Sequence, residues 1–271
     1  MEQNSGGVLT TVSNANFGPA ADVINPDGTG DVVLICEHAS NAIPAPLNGL
    51  GLTDEVRGSH VAWDPGALGV ARHLSRALNA PLIAGRVSRL VYDCNRAPES
   101  PSAMPAQTER GDIPGNAGLD AAARADRLAA VYRPFCAAVS RVLDSRAARG
   151  ARTALVTIHS FTPVFHGQPR DVEIGILHDS DSRLADAMLA AADALPGRDI
   201  QRNAPYGPGD DVTHSLGLHG VARGLPNVMI EIRSDLLADT RGEERMASEV
   251  KRLLDPALMV ESVWSREGAH A

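Results

Sequence analysis

The chain has 271 residues, 44% of them hydrophobic and 21% charged, with 25 basic against 33 acidic residues and a formal charge of −8. That length holds one large domain or two small ones, with an ordinary globular composition. The acidic balance excludes broad nucleic-acid binding, which needs a basic surface to displace counterions, and makes recognition of an anionic substrate depend on a local arginine cluster.

Residues 1–30 are rich in Gly, Asn, Ser and Thr, with Pro19 and Pro26, and predict a loosely ordered lead-in to one domain over 31–271. They lack the basic and apolar regions of a signal peptide, and no run approaches the roughly 18 to 20 apolar residues that span a bilayer. Cys36, Cys94 and Cys136 are too few and scattered for a disulfide framework or a zinc finger, so the expected compartment is reducing and cytoplasmic.

Val32-Val33-Leu34-Ile35-Cys36 is continuously apolar, as expected of a strand buried on both faces. Asp64-Pro65 predicts a helix start, with the helix running from Gly66 to Leu78. Leu82-Ile83-Ala84 and Arg89-Leu90-Val91-Tyr92 predict short strands, and the Pro- and Gly-rich stretch from Glu99 to Gly118 predicts a long loop. Asp120 caps a long helix with apolar residues at helical spacing, in which Pro134 predicts a kink. Ala154 to Ile158, Val172 to Leu177 and Val228 to Ile232 predict further strands. Helices are expected from about Asp181 to Ala194 and Asp239 to Leu254, with a Gly/Pro loop over Asn203 to Asp211. Alternating strands and helices predict a single three-layer α/β domain, its sheet mostly parallel or mixed and covered by helices on both faces.

In such sheets ligands bind beyond the carboxyl ends of the strands. Cys36-Glu37-His38 follows the first apolar run, His159-Ser160 follows Ile158, and Glu231 interrupts the last run. Imidazoles and a carboxylate are the usual ligands of catalytic zinc. Asp64 and Glu37 both compete for the third position: Asp64 serves equally as a helix cap, while Glu37 sits next to His38, where chain neighbours point apart. Glu231 reads either as one half of a salt bridge or as a buried general base. Arg89 to Arg96 carries the anion-binding candidates Arg89, Asn95 and Arg96, although an ordinary Asp93–Arg96 turn accounts for that segment as well. Tyr206 lies on a loop suited to closing over substrate or is a plain surface aromatic. His214 and His219 either touch substrate or are solvated, and His60, His73, His166, His178 and His270 are expected to be structural or exposed.

Several of these blocks occur together in an ordered set. His38 with Ser40 and Pro44, Trp63-Asp64, Ser88 to Arg96, Ile158-His159-Ser160 and Ile230-Glu231-Ile232-Arg233 resemble the N-formylglutamate amidohydrolase family, which is similar in turn to zinc carboxypeptidases and aspartoacylases. The resemblance runs from about residue 32 to 236. It implies a phosphorylase/hydrolase-like α/β fold and a zinc-dependent amidohydrolase, zinc being replaceable by another divalent metal. The expected reaction is hydrolysis of a small anionic N-acyl amino acid, in the first place N-formyl-L-glutamate to formate and L-glutamate. It also implies a place in amino-acid degradation, that of histidine included.

Residue by residue, His38 and His159 match the metal histidines, Glu231 the general base, and Asn95-Arg96 the pair that holds a substrate carboxylate. Arg89 is expected to hold a second carboxylate or stabilise the oxyanion. One position departs from the carboxypeptidase pattern: three residues after the first histidine stands Asn41, not glutamate, which turns the third-ligand expectation towards Asp64. Two other readings compete with the metal hydrolase. One is an amidase using Cys36 or Cys94, the other a metal-free protein binding a dicarboxylate through its arginines.

Overall fold

The computed structural model describes residues 17–265. Seven strands form one mixed sheet: β1 (Ala21–Ile24), β2 (Val32–Cys36), β3 (Leu82–Gly85), β4 (Ala154–Phe161), β5 (Ile174–Leu177), β6 (Ile200–Arg202) and β7 (Asn227–Arg233). Their order across the sheet is β1-β3-β2-β4-β7-β5-β6. The central strands β3, β2, β4 and β7 run parallel to one another, while β1 pairs antiparallel with β3 and β5 antiparallel with β7. The expected single α/β domain with a mixed sheet is the observed architecture.

Burial on both faces follows from alternation along each strand. Val32, Leu34 and Cys36 of β2 enter one core with α2 (Ala67–Ala77) and α6 (Thr240–Leu258). Val33 and Ile35 enter the other core with α4 (Arg133–Ala148). Each fully buried aliphatic side chain there contributes about 1.5–3 kcal/mol. Short helices α1 (Asp54–Gly58), α3 (Ala121–Arg127), α5 (Arg183–Ala190) and α7 (Glu261–Trp264) complete the layers. Among the described residues no helix is long and apolar enough to cross a membrane.

Several local expectations change. The lead-in contributes β1, and β6 adds a three-residue strand; each edge strand is too short to leave a period in the sequence. Arg89 to Tyr92 forms turns, not a strand, because its backbone groups find other partners. Val91 N donates to Ser88 O, and the side chains of Asn116 and Arg127 donate to Leu90 O and Val91 O. The kink expected at Pro134 appears as a π-helical turn, Leu128–Tyr132, between α3 and α4. The helix expected from Asp181 begins at Arg183 and ends at Ala190, and a separate 3-10 turn covers Ala192–Ala194. Helix α6 runs on to Leu258, with Asp239 as its side-chain cap.

Asp64 does not cap α2 with its side chain. Gly66 holds the cap position at φ 80°, a left-handed conformation suited to glycine, and a Cβ there would lie 2.4 Å from Leu237 Cβ. The Asp64 carboxylate is thereby left to turn towards the ends of β2 and β4.

Candidate active site

Three adjacent parallel strands assemble the site at their carboxyl ends. His38 lies two residues beyond β2. His159 and Ser160 lie within β4, which extends three residues past the expected end at Ile158. Glu231 of β7 is in register with His159, so the two side chains leave the same face of the sheet. The Asp64 N–H donates to His38 O at 3.0 Å, which ties the turn before α2 to the end of β2.

Each imidazole bridges two carboxylates. Nδ1 of His38 and Nδ1 of His159 lie 3.2 and 2.9 Å from the same atom, Asp64 Oδ2. On the far side, His38 Nε2 is 2.8 Å from Asp93 Oδ1. His159 Nε2 is 3.2 Å from Glu37 Oε2, within ion-pair range but off hydrogen-bond geometry. His38, Asp64 and His159 thus converge at one point, with ligand atoms within 4.8 Å of one another. Two imidazole nitrogens and a carboxylate oxygen are the donor set of a catalytic zinc site that keeps a position open. Glu37 and Asp93 occupy the opposite nitrogens, where a carboxylate orients a ligating histidine. Of the two competitors for the third position, Asp64 faces the convergence point and Glu37 does not.

The electrostatics follow from burial and proximity. Burial alone would raise the Asp64 carboxyl, yet His38 and His159 hold it well below the usual carboxylate range. For His159 burial disfavours charge, but Glu37 and Asp64 hold its pKa well above the ordinary value. In His38, likewise, Asp93 and Asp64 outweigh burial and the Arg89 charge, and the pKa is raised. Glu231 differs from its neighbours. Burial, helped by Asp64, pushes its carboxyl up to about 7 against the pull of His159, His38 and Arg89. The residue is 5% exposed, and its Oε2 has no hydrogen-bond partner among the described residues. The salt-bridge reading of Glu231 therefore fails, because neighbouring Arg233 pairs with Asp235 and Glu173 instead.

A cavity of about 340 Å³ opens on these groups, walled also by Arg89, Asn95, Arg96 and Tyr206. Arg89 bridges Asp93 Oδ2 at 2.8 Å and Asp64 Oδ1 at 3.4 Å. Arg96 donates from Nε to Ser102 and from Nη1 to Asn95 O, and its nearest carboxylate oxygens lie at 3.8 and 4.0 Å. Its charge is thus only loosely compensated. Asn95 borders the cavity, but its amide is committed: Nδ2 donates to Val212 O and Oδ1 accepts from Ser215 N. Asp93–Arg96 does form a turn, with Arg96 N bonded to Asp93 O, while the Asp93 carboxylate also serves His38.

Tyr206 is seated by Gly175, where a Cβ would lie 1.9 Å from Ala204 O, so the loop packs directly on β5. Its ring lies against Arg170, 4.9 Å from guanidinium to centroid, so it is a wall of the site and not a plain surface aromatic.

The remaining histidines divide. His214 bonds Tyr132 Oη at 2.7 Å, and His219 is buried, its pKa pushed down to about 4 by that burial. Neither lines the cavity, and the solvated reading of His219 is corrected. His60 does line it, paired with Glu109, a position no sequence pattern marked. His73 and His178 bond Arg76 Nη2 and Asp179 O away from this cavity, and His270 lies outside the described residues. Cys36 and Cys94 are buried thiols whose pKa burial raises well above the ordinary value, and neither borders the cavity. The contacts of Glu37 and Asp93 with the imidazoles carry no mark in the sequence, although each lies inside a block that the site's other residues share.

The family model for N-formylglutamate amidohydrolase matches residues 30–238. Among solved structures, the gene product Atu2144 from Agrobacterium tumefaciens shares 55% identity, covering 89% of this chain and 95% of that one with a TM-score of 0.87. N-formylglutamate amidohydrolase from Ralstonia eutropha JMP134 shares the fold at 21% identity and a TM-score of 0.56, covering 86% and 98% of the two chains. No curated protein matches.

Proposed function

The chain belongs to the N-formylglutamate amidohydrolase family, and from that premise we propose that it hydrolyses the amide of a small N-acyl amino acid, N-formyl-L-glutamate first, with zinc held by His38, Asp64 and His159. The observation that carries this reading is Glu231: a buried carboxylate with one oxygen unpartnered among the described residues, in register beside His159 and facing the same cavity as the two arginines. When bound, the ion supplies Lewis acidity, acidifying water and polarising the acyl carbonyl. Glu231 takes the proton of the attacking water and passes it to the leaving nitrogen. The water oxygen bonds to the acyl carbon as the C–N bond breaks, giving formate and glutamate.

A pKa raised towards neutrality suits both halves of that transfer, since the group must accept a proton and then give it up. Arg96, with its loosely compensated charge, holds a substrate carboxylate. Arg89 holds the second carboxylate or the developing oxyanion. Asn95 acts alongside by fixing the 212–215 segment, and Tyr206 closes the outer wall. Glu37 and Asp93 lie on the Nε2 sides of the imidazoles and would keep both turned with Nδ1 towards Asp64, the side that would hold an ion. The three free cysteines suit a reducing, cytoplasmic setting.

The deciding experiment assays purified protein against a panel of N-acyl amino acids, with zinc and after chelation. Hydrolysis of N-formylglutamate that is lost on chelation and regained with zinc is the expected result. Activity that survives chelation but not thiol alkylation would assign the chemistry to a cysteine instead. Stoichiometric carboxylate binding with no turnover would leave a binding protein.

A further inference from the structure

Arg89 and Arg96 are walls of two chambers, not one. Beyond them from the histidines and Glu231 lies a second cavity of about 270 Å³, sharing His60, Arg89, Arg96, Phe165 and Tyr206 with the first. The first cavity alone, at about 340 Å³, lies within the roughly 300–1,000 Å³ of sites for drug-sized ligands, whereas N-formylglutamate has only about a dozen non-hydrogen atoms. The second chamber is therefore surplus to that substrate.

Its wall is part apolar, part polar. Val61, Leu90 and Pro105 supply apolar wall, and the hydroxyls of Ser102 and Thr108 are already hydrogen-bonded within the protein. Neither carboxylate in its wall is free, since Glu109 is paired with His60, and Asp93 is held by His38 and Arg89. Arg96, which lines both chambers with a loosely compensated charge, can take the terminal carboxylate of an added residue, while an uncharged side chain would bury its surface against the apolar wall. The direction is set by the arginines. They hold the substrate's carboxylates on the amino side of the cleaved bond, so whatever passes beyond them belongs to the leaving amine and not to the acyl group.

Resting on the hydrolase reading above, we propose that the second chamber is a subsite for an additional residue with an uncharged side chain, joined by an amide to the substrate's acidic amino acid. The substrate class is then an N-acylated acidic dipeptide. The hydrolysed bond, and the path of its proton, are unchanged.

The test compares kcat/KM for N-formylglutamate, for N-formylglutamyl-alanine linked through either carboxyl, and for N-butyrylglutamate. Enzyme with Thr108→Trp, which fills the chamber, is assayed beside the wild type. One dipeptide should match or exceed N-formylglutamate with the wild-type enzyme. Thr108→Trp should lower its kcat/KM at least ~10-fold while changing N-formylglutamate less than ~3-fold. Pro105→Trp serves as a second filling variant if the first fails to fold. Dipeptides that are more than ~10-fold poorer than N-formylglutamate, equal losses on all substrates, or gains confined to the butyryl compound would overturn the subsite.

If no N-acyl compound is hydrolysed, the hydrolase reading has failed, and calorimetry still reads the chamber. Tighter binding of glutamyl-alanine than of glutamate, abolished by the filling variant, supports the subsite; equal binding overturns it.

Discussion

The two ends of the central strands bury charge in opposite ways. At the amino ends of β2 and β4, Arg146 is almost fully buried with no carboxylate bound to it among the described residues, and its guanidinium is committed to Gly28 O, Gly30 O, Arg152 O and Thr153 Oγ1. At the amino end of β7, Arg183 chelates Asp181 and reaches Gly224 O. At the carboxyl ends, Glu231 Oε2, both Glu37 oxygens and His159 Nε2 lack hydrogen-bond partners among the described residues. Buried polar groups in native proteins are nearly always satisfied, and unsatisfied ones gather where chemistry needs them. Burial of a charge is thus common to both ends; among the charged groups, uncommitted bonding capacity is what separates a site from a clasp.

That contrast can be broken by mutation. Glu231→Gln should lower kcat about 10²- to 10⁴-fold, since general acid–base groups contribute in that range, while metal content stays the same. Thermal stability should hold or rise, because a buried ionisable group is replaced by a neutral one of the same shape. A mutant retaining wild-type turnover would dismiss Glu231 as the base. Arg146→Met should do the reverse, costing about 3–5 kcal/mol in denaturant unfolding as three carbonyls lose their donor, with kcat per folded molecule unchanged. Loss of turnover without loss of stability in that variant would contradict its structural role.

Asp93→Asn tests the groups that stand between these extremes. It should weaken zinc affinity by about 10- to 100-fold, as read by competition with a chelating dye. An unchanged affinity would make Asp93 a turn residue only. Turnover should also show an acid limb, falling as Glu231 protonates. Its midpoint should lie at or below the value of about 7 set by burial, because an added cation at the triad favours the carboxylate. A flat kcat profile between pH 5 and 8 would remove the argument from its raised pKa.

The smallest effect concerns His219. Its folded pKa, near 4, lies below the ordinary value of about 6.5, so the unfolded chain binds more protons in between. Its contribution is complete above about pH 6.5 and is lost as the pH falls towards 4. His219→Gln should flatten the stability curve in that window, and equal slopes in the two proteins would discount it.

Much of this site was legible in residue order. The apolar runs at 32–36, 154–158 and 228–232 located three neighbouring strands, because a strand buried on both faces must be apolar at every position. His38, His159 and Glu231 stood out as polar residues at those runs. Less accessible was everything that depends on direction. Arg89 to Tyr92 has the composition of a strand, but the side chains that satisfy its backbone come from Asn116 and Arg127, distant in sequence. Asp64 has the pattern of a helix cap, and only the approach of Leu237 to Gly66 shows why its carboxylate turns to the histidines.

What the sequence determined by itself was the alternation of strands and helices, the chemical kinds of residue at the strand ends, and the family they belong to, since periodicity and local order are properties of the chain. What the tertiary structure alone decided was which carboxylate meets which nitrogen. Glu37 adjoins His38 in the chain but serves His159, and Asp93 reaches His38 across 55 residues. Such pairings arise where segments distant in sequence meet at the strand ends, and local sequence carries no record of them.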